Sequence, residues 1–192
     1  ECILIGNCPE PSICDEGYTE IDEECYYQSD LDVLQQFIDN SNLSIEPLEL
    51  CLGNEEDDDE VGQVWNEGRL THLICNPECD VEGYYCLSGL IPESIGDLTN
   101  LTILRIQNTL CEGEIPSTIG NLTNLYELGI WGNDLITGEI PESIGNLLKL
   151  EFLFIYDNSI TGEIPESIGD LTQLIGLDLE DNLLNGPIPE SI

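Results

Sequence analysis

One histidine, nine cysteines and 40 carboxylates carry what chemistry this chain can do, against three cations, Arg69, Arg105 and Lys149. A nucleophilic triad needs a base placed beside a Ser or Cys, and no motif gives His72 such a neighbour, so acyl transfer is not expected. Carboxylate pairs perform glycoside hydrolysis, but in a chain this acidic they occur everywhere and single out nothing. No glycine-rich phosphate loop is present. The acidic run Glu55–Glu60, EEDDDE, could offer oxygens to calcium. Calcium takes about six to eight oxygens in a set geometry, and this run lacks both the alternating spacing and the glycine of a calcium-binding hand. It reads as a solvated loop tip. No cofactor is expected, weak calcium binding stays open, and no metal site is assigned. The chain is read as not an enzyme.

The cysteines are Cys2, Cys8, Cys14, Cys25, Cys51, Cys75, Cys79, Cys86 and Cys111. Four of them within the first 25 residues read as a disulfide-stapled knot in an oxidising, extracellular compartment. Zinc is the weaker reading, since Cys75 and Cys79 form the one close pair and His72 is not at a finger-like spacing. The pairing is left open. Nine is odd, so one thiol is expected to be free or to bridge two molecules.

The net charge of −37 repels nucleic acid and anionic membrane and excludes both as partners. With 23 acidic residues in 1–86 and 17 in 87–192, the charge belongs to the whole surface and not to a tail. No stretch is apolar enough to insert in a membrane. The chain starts at Glu1 and has no Met, which suggests a secreted or cell-surface protein whose leader has been removed.

The elements that position these side chains follow from a repeat. Ile-Pro recurs at Ile91, Ile115, Ile140, Ile164 and Ile188, in steps of 24, 25, 24 and 24 residues. Units of that length cannot bury an apolar face alone and must stack into a solenoid. Within each, Leu104/Ile106, Leu128/Ile130, Leu153/Ile155 and Leu177/Leu179 predict short strands of period two, paired in parallel. Asn133, Asn158 and Asn182 fall where the chain turns inward, and a buried Asn there can bond the neighbouring turns. Thr109 takes that place one repeat earlier, so an interruption is expected there. Pro-Glu-Ser-Ile-Gly predicts a brief 3₁₀ turn, opened by Pro and stopped by Gly.

Ahead of the regular repeats, residues 1–28 are read as the cysteine-rich knot and 29–65 as an N-terminal cap. The cap holds a helix over 29–39, with Ser29 as its N-cap and Leu31, Leu34 and Ile38 on one face. Residues 40–64 are read as loop. The solenoid takes 66–192, with a degenerate first repeat over 66–86 whose strand is GRLTHLIC at 68–75. An irregular insertion, NPECDVEGYY, follows before the regular repeats of 87–192.

The copies LSGLIPESIGDLTNLTILRIQNTL, CEGEIPSTIGNLTNLYELGIWGNDLI, TGEIPESIGNLLKLEFLFIYDNSI and TGEIPESIGDLTQLIGLDLEDNLL resemble the plant-type leucine-rich repeat, LxGxIPxxIGxLxxLxxLxLxxN. That form is found in receptor-kinase ectodomains, polygalacturonase-inhibiting proteins and secreted microbial proteins. The resemblance covers 87–192 and, more loosely, 66–86. It implies a β/3₁₀ right-handed solenoid with a parallel concave sheet and a binding role. The family cap has a helix and closely spaced cysteines around a Trp. Here Cys51, Trp65 and Cys75 keep that order at wide spacing, and 1–28 has no counterpart.

Residues flanking the central Leu of each strand face the concave solvent. They are Ile103, Arg105 and Gln107; Glu127, Gly129 and Trp131; Phe152, Phe154 and Tyr156; Gly176, Asp178 and Glu180. Trp131, Phe152, Phe154 and Tyr156 form an aromatic cluster beside Arg105 and Glu127, and this patch is the expected contact for a protein or glycan partner. Sequons at Asn42, Asn100 and Asn121 are candidate glycosylation sites, although Asn-Leu-Thr is also part of the repeat. The sequence stops at PESI within a repeat. Leu184, Ile188 and Ile192 would there face outward, and burial by a second copy would give a head-to-tail filament. Three functions are therefore expected, in this order: a stacking structural subunit, a monomeric recognition module, and an enzyme inhibitor like the polygalacturonase inhibitors.

Overall fold

A computed structural model of the chain describes residues 14–51, 62–76 and 87–192. The acidic run 55–60, the insertion beyond Asn76, and Cys2, Cys8, Cys79 and Cys86 lie outside the described residues.

Part of the expected knot is a hairpin. Strands β1 (Tyr18–Ile21) and β2 (Glu24–Tyr27) pair antiparallel across Asp22 and Glu23, both at positive φ, and a Cys14–Cys25 disulfide closes them. Helix α1 (Gln28–Asn40) follows without a gap. Ser29 does not cap it: the helix begins a residue earlier, at an extended Tyr27 that makes no side-chain cap bond. The strand runs straight into the helix, leaving no loop residue to cap. Gln28 instead donates Nε2 to Asp32 Oδ1 at 2.7 Å across the first turn. The apolar face is wider than expected, since Val33 and Phe37 are buried beside Leu31, Leu34 and Ile38.

The loop expected over 40–64 contains a 3₁₀ turn at Pro47–Glu49 and the start of strand β3 (Gly62–Asn66). β3 forms a hairpin with β4 (Arg69–Cys75), whose Leu70, Leu73 and Cys75 are buried. Gln63 locks this hairpin to the preceding turn by donating Nε2 to the carbonyls of Pro47 and Leu50, both at 2.8 Å.

From β4 the main sheet continues in parallel through β6 (Ile103–Gln107), β8 (Glu127–Asn133), β10 (Phe152–Asn158) and β11 (Gly176–Asp178). Its register pairs Leu104 with Leu128, Leu128 with Leu153, and Leu153 with Leu177. A second parallel sheet joins three short strands, β5 (Ser88–Leu90), β7 (Leu110–Glu114) and β9 (Ile136–Thr137). Between the strands run 3₁₀ turns at Glu93–Asp97, Ser117–Asn121, Glu142–Asn146 and Glu166–Asp170, each led in by an extended Pro. One apolar cluster runs from Val33 on α1 to Leu171 in the last turn. Each fully buried Leu or Ile in it contributes ~1.5–3 kcal/mol over an exposed one.

The glycine of Pro-Glu-Ser-Ile-Gly has a different role from the expected helix stop. The turns run one residue past it, and Gly96, Gly120 and Gly145 are not among the glycines with positive φ. A Cβ on Gly120 would lie 2.4 Å from the Ser143 carbonyl oxygen, and one on Gly96 2.6 Å from that of Thr118. These glycines let neighbouring turns approach.

The asparagine ladder forms as expected and extends further. Asn133 donates Nδ2 to the carbonyls of Ile106 (3.0 Å) and Trp131 (2.9 Å), and Asn158 does the same to Ile130 and Tyr156. Asn182 donates to the Ile155 carbonyl at 2.8 Å. Thr109 does not interrupt the ladder. Its N–H and its hydroxyl both donate to Asn133 Oδ1, at 3.0 and 2.6 Å, and the hydroxyl accepts from the Cys111 N–H at 3.2 Å.

Helix α1 closes the N-terminal end of the solenoid. Asn40 donates to the Leu90 carbonyl at 2.7 Å and Ser41 to that of Ser88 at 2.9 Å. The fully buried Asp30 takes a two-pronged pair from Arg69 at 2.9 and 3.1 Å and a third bond from the Leu70 N–H. The Arg69 guanidinium also lies 4.1 Å from the Tyr27 ring centroid. This pairing with Asp30 raises the Arg69 pKa above its ordinary value. A Cys51–Cys75 disulfide adds a covalent tie between cap and sheet. Cys111 is free and buried, and desolvation pushes its thiol up to about 11. It bridges nothing inside the molecule, and its burial keeps it from crosslinking neighbours.

Candidate recognition surface

The parallel register sorts the outward residues of the main sheet into three files. The first runs His72, Ile103, Glu127, Phe152, Gly176, and the second Ile74, Arg105, Gly129, Phe154, Asp178. The third has Gln107, Trp131 and Tyr156, with Glu180 two residues beyond Asp178 on the last turn. The register thus brings Trp131, Phe152, Phe154 and Tyr156 onto one face of two neighbouring strands. Successive members of a file sit on neighbouring strands ~4.8 Å apart, which is ring-stacking distance.

The rings are ordered against one another. Trp131 and Tyr156 stack with planes 9° apart and centroids 5.4 Å apart. Phe152 and Phe154 have centroids 5.9 Å apart. Two glycines make room for this shelf. A Cβ on Gly129 would sit 2.3 Å from Trp131 Cζ3, and one on Gly176 2.8 Å from Phe152 Cδ1. Trp131 thus leans across the second file and Phe152 over β11. All four aromatic side chains stay partly open to solvent.

Arg105 and Glu127 belong to this face but not as free charges. Arg105 grips Glu127 through Nε at 2.5 Å and Nη2 at 2.9 Å, and Glu127 is buried. They form a fixed rim beside the aromatic shelf. Around Tyr156 the remaining charge is negative. Its hydroxyl is raised above its ordinary pKa, first by burial and then by the carboxylates of Asp178, Asp157 and Glu180.

Two members of the site were missed by the sequence reading. Tyr126 packs edge-on to Phe152, centroids 5.4 Å apart, from the residue before β8. It sits outside the alternating positions, so a period-two reading skips it. Asp157 lies after the strand's apolar triplet at positive φ, and strand alternation gives no signal for a residue in that conformation.

The other candidate residues lie elsewhere. Asn42, Asn100 and Asn121 are exposed. Ile188 and Ile192 are exposed at 74% and 56%, while Leu184 packs partly against the core. Among the described residues no group of three or more His, Cys, Asp or Glu could hold a metal ion. No described helix is long and apolar enough to cross a membrane.

The family model described as Leucine Rich Repeat matches residues 124–147 and 149–171. A chain in the crystal structure of the BIR3–SERK2 complex from Arabidopsis thaliana is 31% identical, with 60% of this chain and 67% of that chain covered and a TM-score of 0.53. The chain belongs to the plant-type leucine-rich repeat proteins. Two further solved structures cover more of it. The structure of PEPR1 with AtPEP1 is 30% identical over 85% of this chain, at a TM-score of 0.64. A plant ice-binding protein is 26% identical over 86%, at a TM-score of 0.64. The chain spans 23% and 52% of those two structures' lengths. No curated protein matches it. The repeat and the stacked solenoid read from Ile-Pro spacing are those of this family.

Proposed function

We propose that this chain is an extracellular recognition module that binds a protein or peptide along its concave face. The observation that carries the reading is the aromatic shelf of Trp131, Phe152, Phe154 and Tyr156, held in fixed geometry on adjacent strands and left open. Aromatic side chains on a rigid surface supply large contact area at small entropic cost, and such residues dominate binding energy at interfaces. The disulfides Cys14–Cys25 and Cys51–Cys75 support an oxidising, extracellular or cell-surface setting. Similarity to chains in the BIR3–SERK2 complex and in the structure of PEPR1 with AtPEP1 supports a protein or peptide as the occupant and a binding role without catalysis.

Selection of displayed random peptides on the whole chain tests this. Selected peptides should lose binding to the Phe154→Ser/Tyr156→Ser variant and keep it to a Glu142→Gln/Glu166→Gln variant on another face. Glycan binding with no peptide enrichment would replace the reading by the carbohydrate one. Stacking of copies through Ile188 and Ile192 ranks second, because any solenoid sequence exposes apolar residues at the turn where it stops. Sedimentation as a monomer at high concentration would remove it.

A further inference from the structure

The shelf has a polarity along the solenoid axis that its aromatic character alone does not show. In the third file the rings stack in the order Trp131, Tyr156, so one face of Tyr156 is covered and the other looks toward the last turn. What stands there is acid. Asp178 pairs directly with Phe154 on the neighbouring strand, Glu180 lies two residues on, and Asp157 follows Tyr156 in the chain. Asp178 Oδ1 accepts from the Glu180 N–H at 3.1 Å, which fixes the orientation of that carboxylate. The described residues contain two ion pairs, Arg69–Asp30 and Arg105–Glu127, and neither neutralises these three acids. The nearest cation in the files, Arg105, is already held by Glu127.

A flat ring face beside carboxylates is complementary to one side chain above others. A guanidinium is planar, stacks on aromatic faces and offers a fork of N–H donors to carboxylates. A lysine ammonium has the charge without the plane. We infer that the concave face takes a basic peptide whose arginine inserts beside the free face of Tyr156 and is gripped by Asp178 and Glu180, extending the Trp131–Tyr156 stack by one plane. This rests on the reading of the concave face as a peptide-binding surface and adds the chemistry of its ligand.

The test follows the Trp131 indole N–H by NMR while the chain is titrated with three blocked tripeptides. Gly-Arg-Gly is the probe. Gly-Lys-Gly keeps the charge, and Gly-citrulline-Gly keeps the plane without the charge. The expected result is saturable shifts with the arginine peptide, weaker ones with lysine, and none with citrulline. Asp178→Asn/Glu180→Gln should weaken arginine binding about tenfold, the scale of losing charge-assisted bonds. Asn at 178 retains the acceptor for the Glu180 N–H. Glu142→Gln/Glu166→Gln removes the same charge from another face and should leave binding unchanged. Equal weakening by both pairs, or equal binding of the citrulline peptide, overturns the inference. Selected peptides that need Phe154 and Tyr156 yet ignore Asp178→Asn/Glu180→Gln would sink the arginine pocket alone. Peptides indifferent to Phe154 and Tyr156 would sink the recognition surface itself.

Discussion

The concave sheet and the Ile-Pro face are built by the same repeats and obey opposite rules. Along the Ile-Pro face neighbouring turns repeat their side chains: Glu114, Glu139 and Glu163 stand before Ile-Pro on three successive turns, and Glu142 and Glu166 follow Pro on two of them. A shallow groove follows these residues along the molecule. On the concave sheet no two strands carry the same outward triplet, and the aromatic residues crowd onto two of them. Identity from turn to turn reports what stacking requires. Difference reports what stacking leaves free, and there a binding surface can be written without disturbing the scaffold.

The comparison breaks most visibly at the ladder beneath both faces. Asn133→Ala would strip the Ile106 and Trp131 carbonyls of a donor and the Thr109 N–H and hydroxyl of an acceptor. Each buried group left unpaired costs ~1–3 kcal/mol. A loss of ~4 kcal/mol lowers Tm by roughly 8–16 °C in a domain of this size. A calorimetric shift below ~3 °C would mean that water replaces the ladder.

Gly120 and Gly129 sharpen the contrast, because the same change to Ala meets backbone on one face and a movable ring on the other. At Gly120 the new Cβ meets the Ser143 carbonyl at 2.4 Å, where the neighbouring turn must give way. Overpacking of that kind costs ~1–3 kcal/mol. At Gly129 it meets the edge of Trp131, which can swing aside. Gly120→Ala should therefore lower Tm while leaving ligand affinity intact, and Gly129→Ala should do the reverse. Thermal melts and peptide titrations of the two variants check this, and equal melting losses would erase the distinction.

These glycines show where the sequence was legible and where it was not. Strand positions, concave files and the Asn ladder could be read, because each depends on spacing within one repeat. The function of Gly96 and Gly120 could not, since the atoms they avoid lie more than twenty residues further along the chain. A local stop signal explains such a glycine equally well until the turns are stacked. Thr109 was misread for a related reason. Matching by residue identity sees a missing Asn, whereas a hydroxyl that donates to Asn133 and accepts from Cys111 completes the ladder. The strands β5, β7 and β9 have two to five residues and show no alternation to read. The hairpin of β1 and β2 hid in the same way, within four-residue strands crowded by acid.

On the concave side the expected cost in stability is smaller. Phe154→Ser with Tyr156→Ser removes rings that touch other rings but not the core. Each aromatic contact is worth ~0.5–1.5 kcal/mol. Tm should fall by only a few degrees, while binding of selected peptides is lost. A cooperative collapse of the fold would show that the shelf belongs to the core and not to a partner.

The smallest effect belongs to the Ile-Pro face and follows from its sameness. A Cβ on Gly138 would lie 2.5 Å from Glu114 Cγ, one on Gly162 2.7 Å from Glu139 Cγ, and one on Gly186 2.8 Å from Glu163 Cγ. Each glutamate arm thus rests on the glycine of the next turn, and the carboxylates line up. Exposed like charges one turn apart repel by ~1 kcal/mol or less in water, and salt screens them further. Magnesium or calcium can bridge neighbours in such a file, whereas sodium only screens. Divalent chloride should therefore raise Tm more than sodium chloride at equal ionic strength. Replacing Glu114, Glu139 and Glu163 together by Gln should abolish that difference, and substitution of Asp178 and Glu180 should not. Equal shifts from both salts would leave screening as the whole effect, and the file would then be a solvated face with no preference among cations.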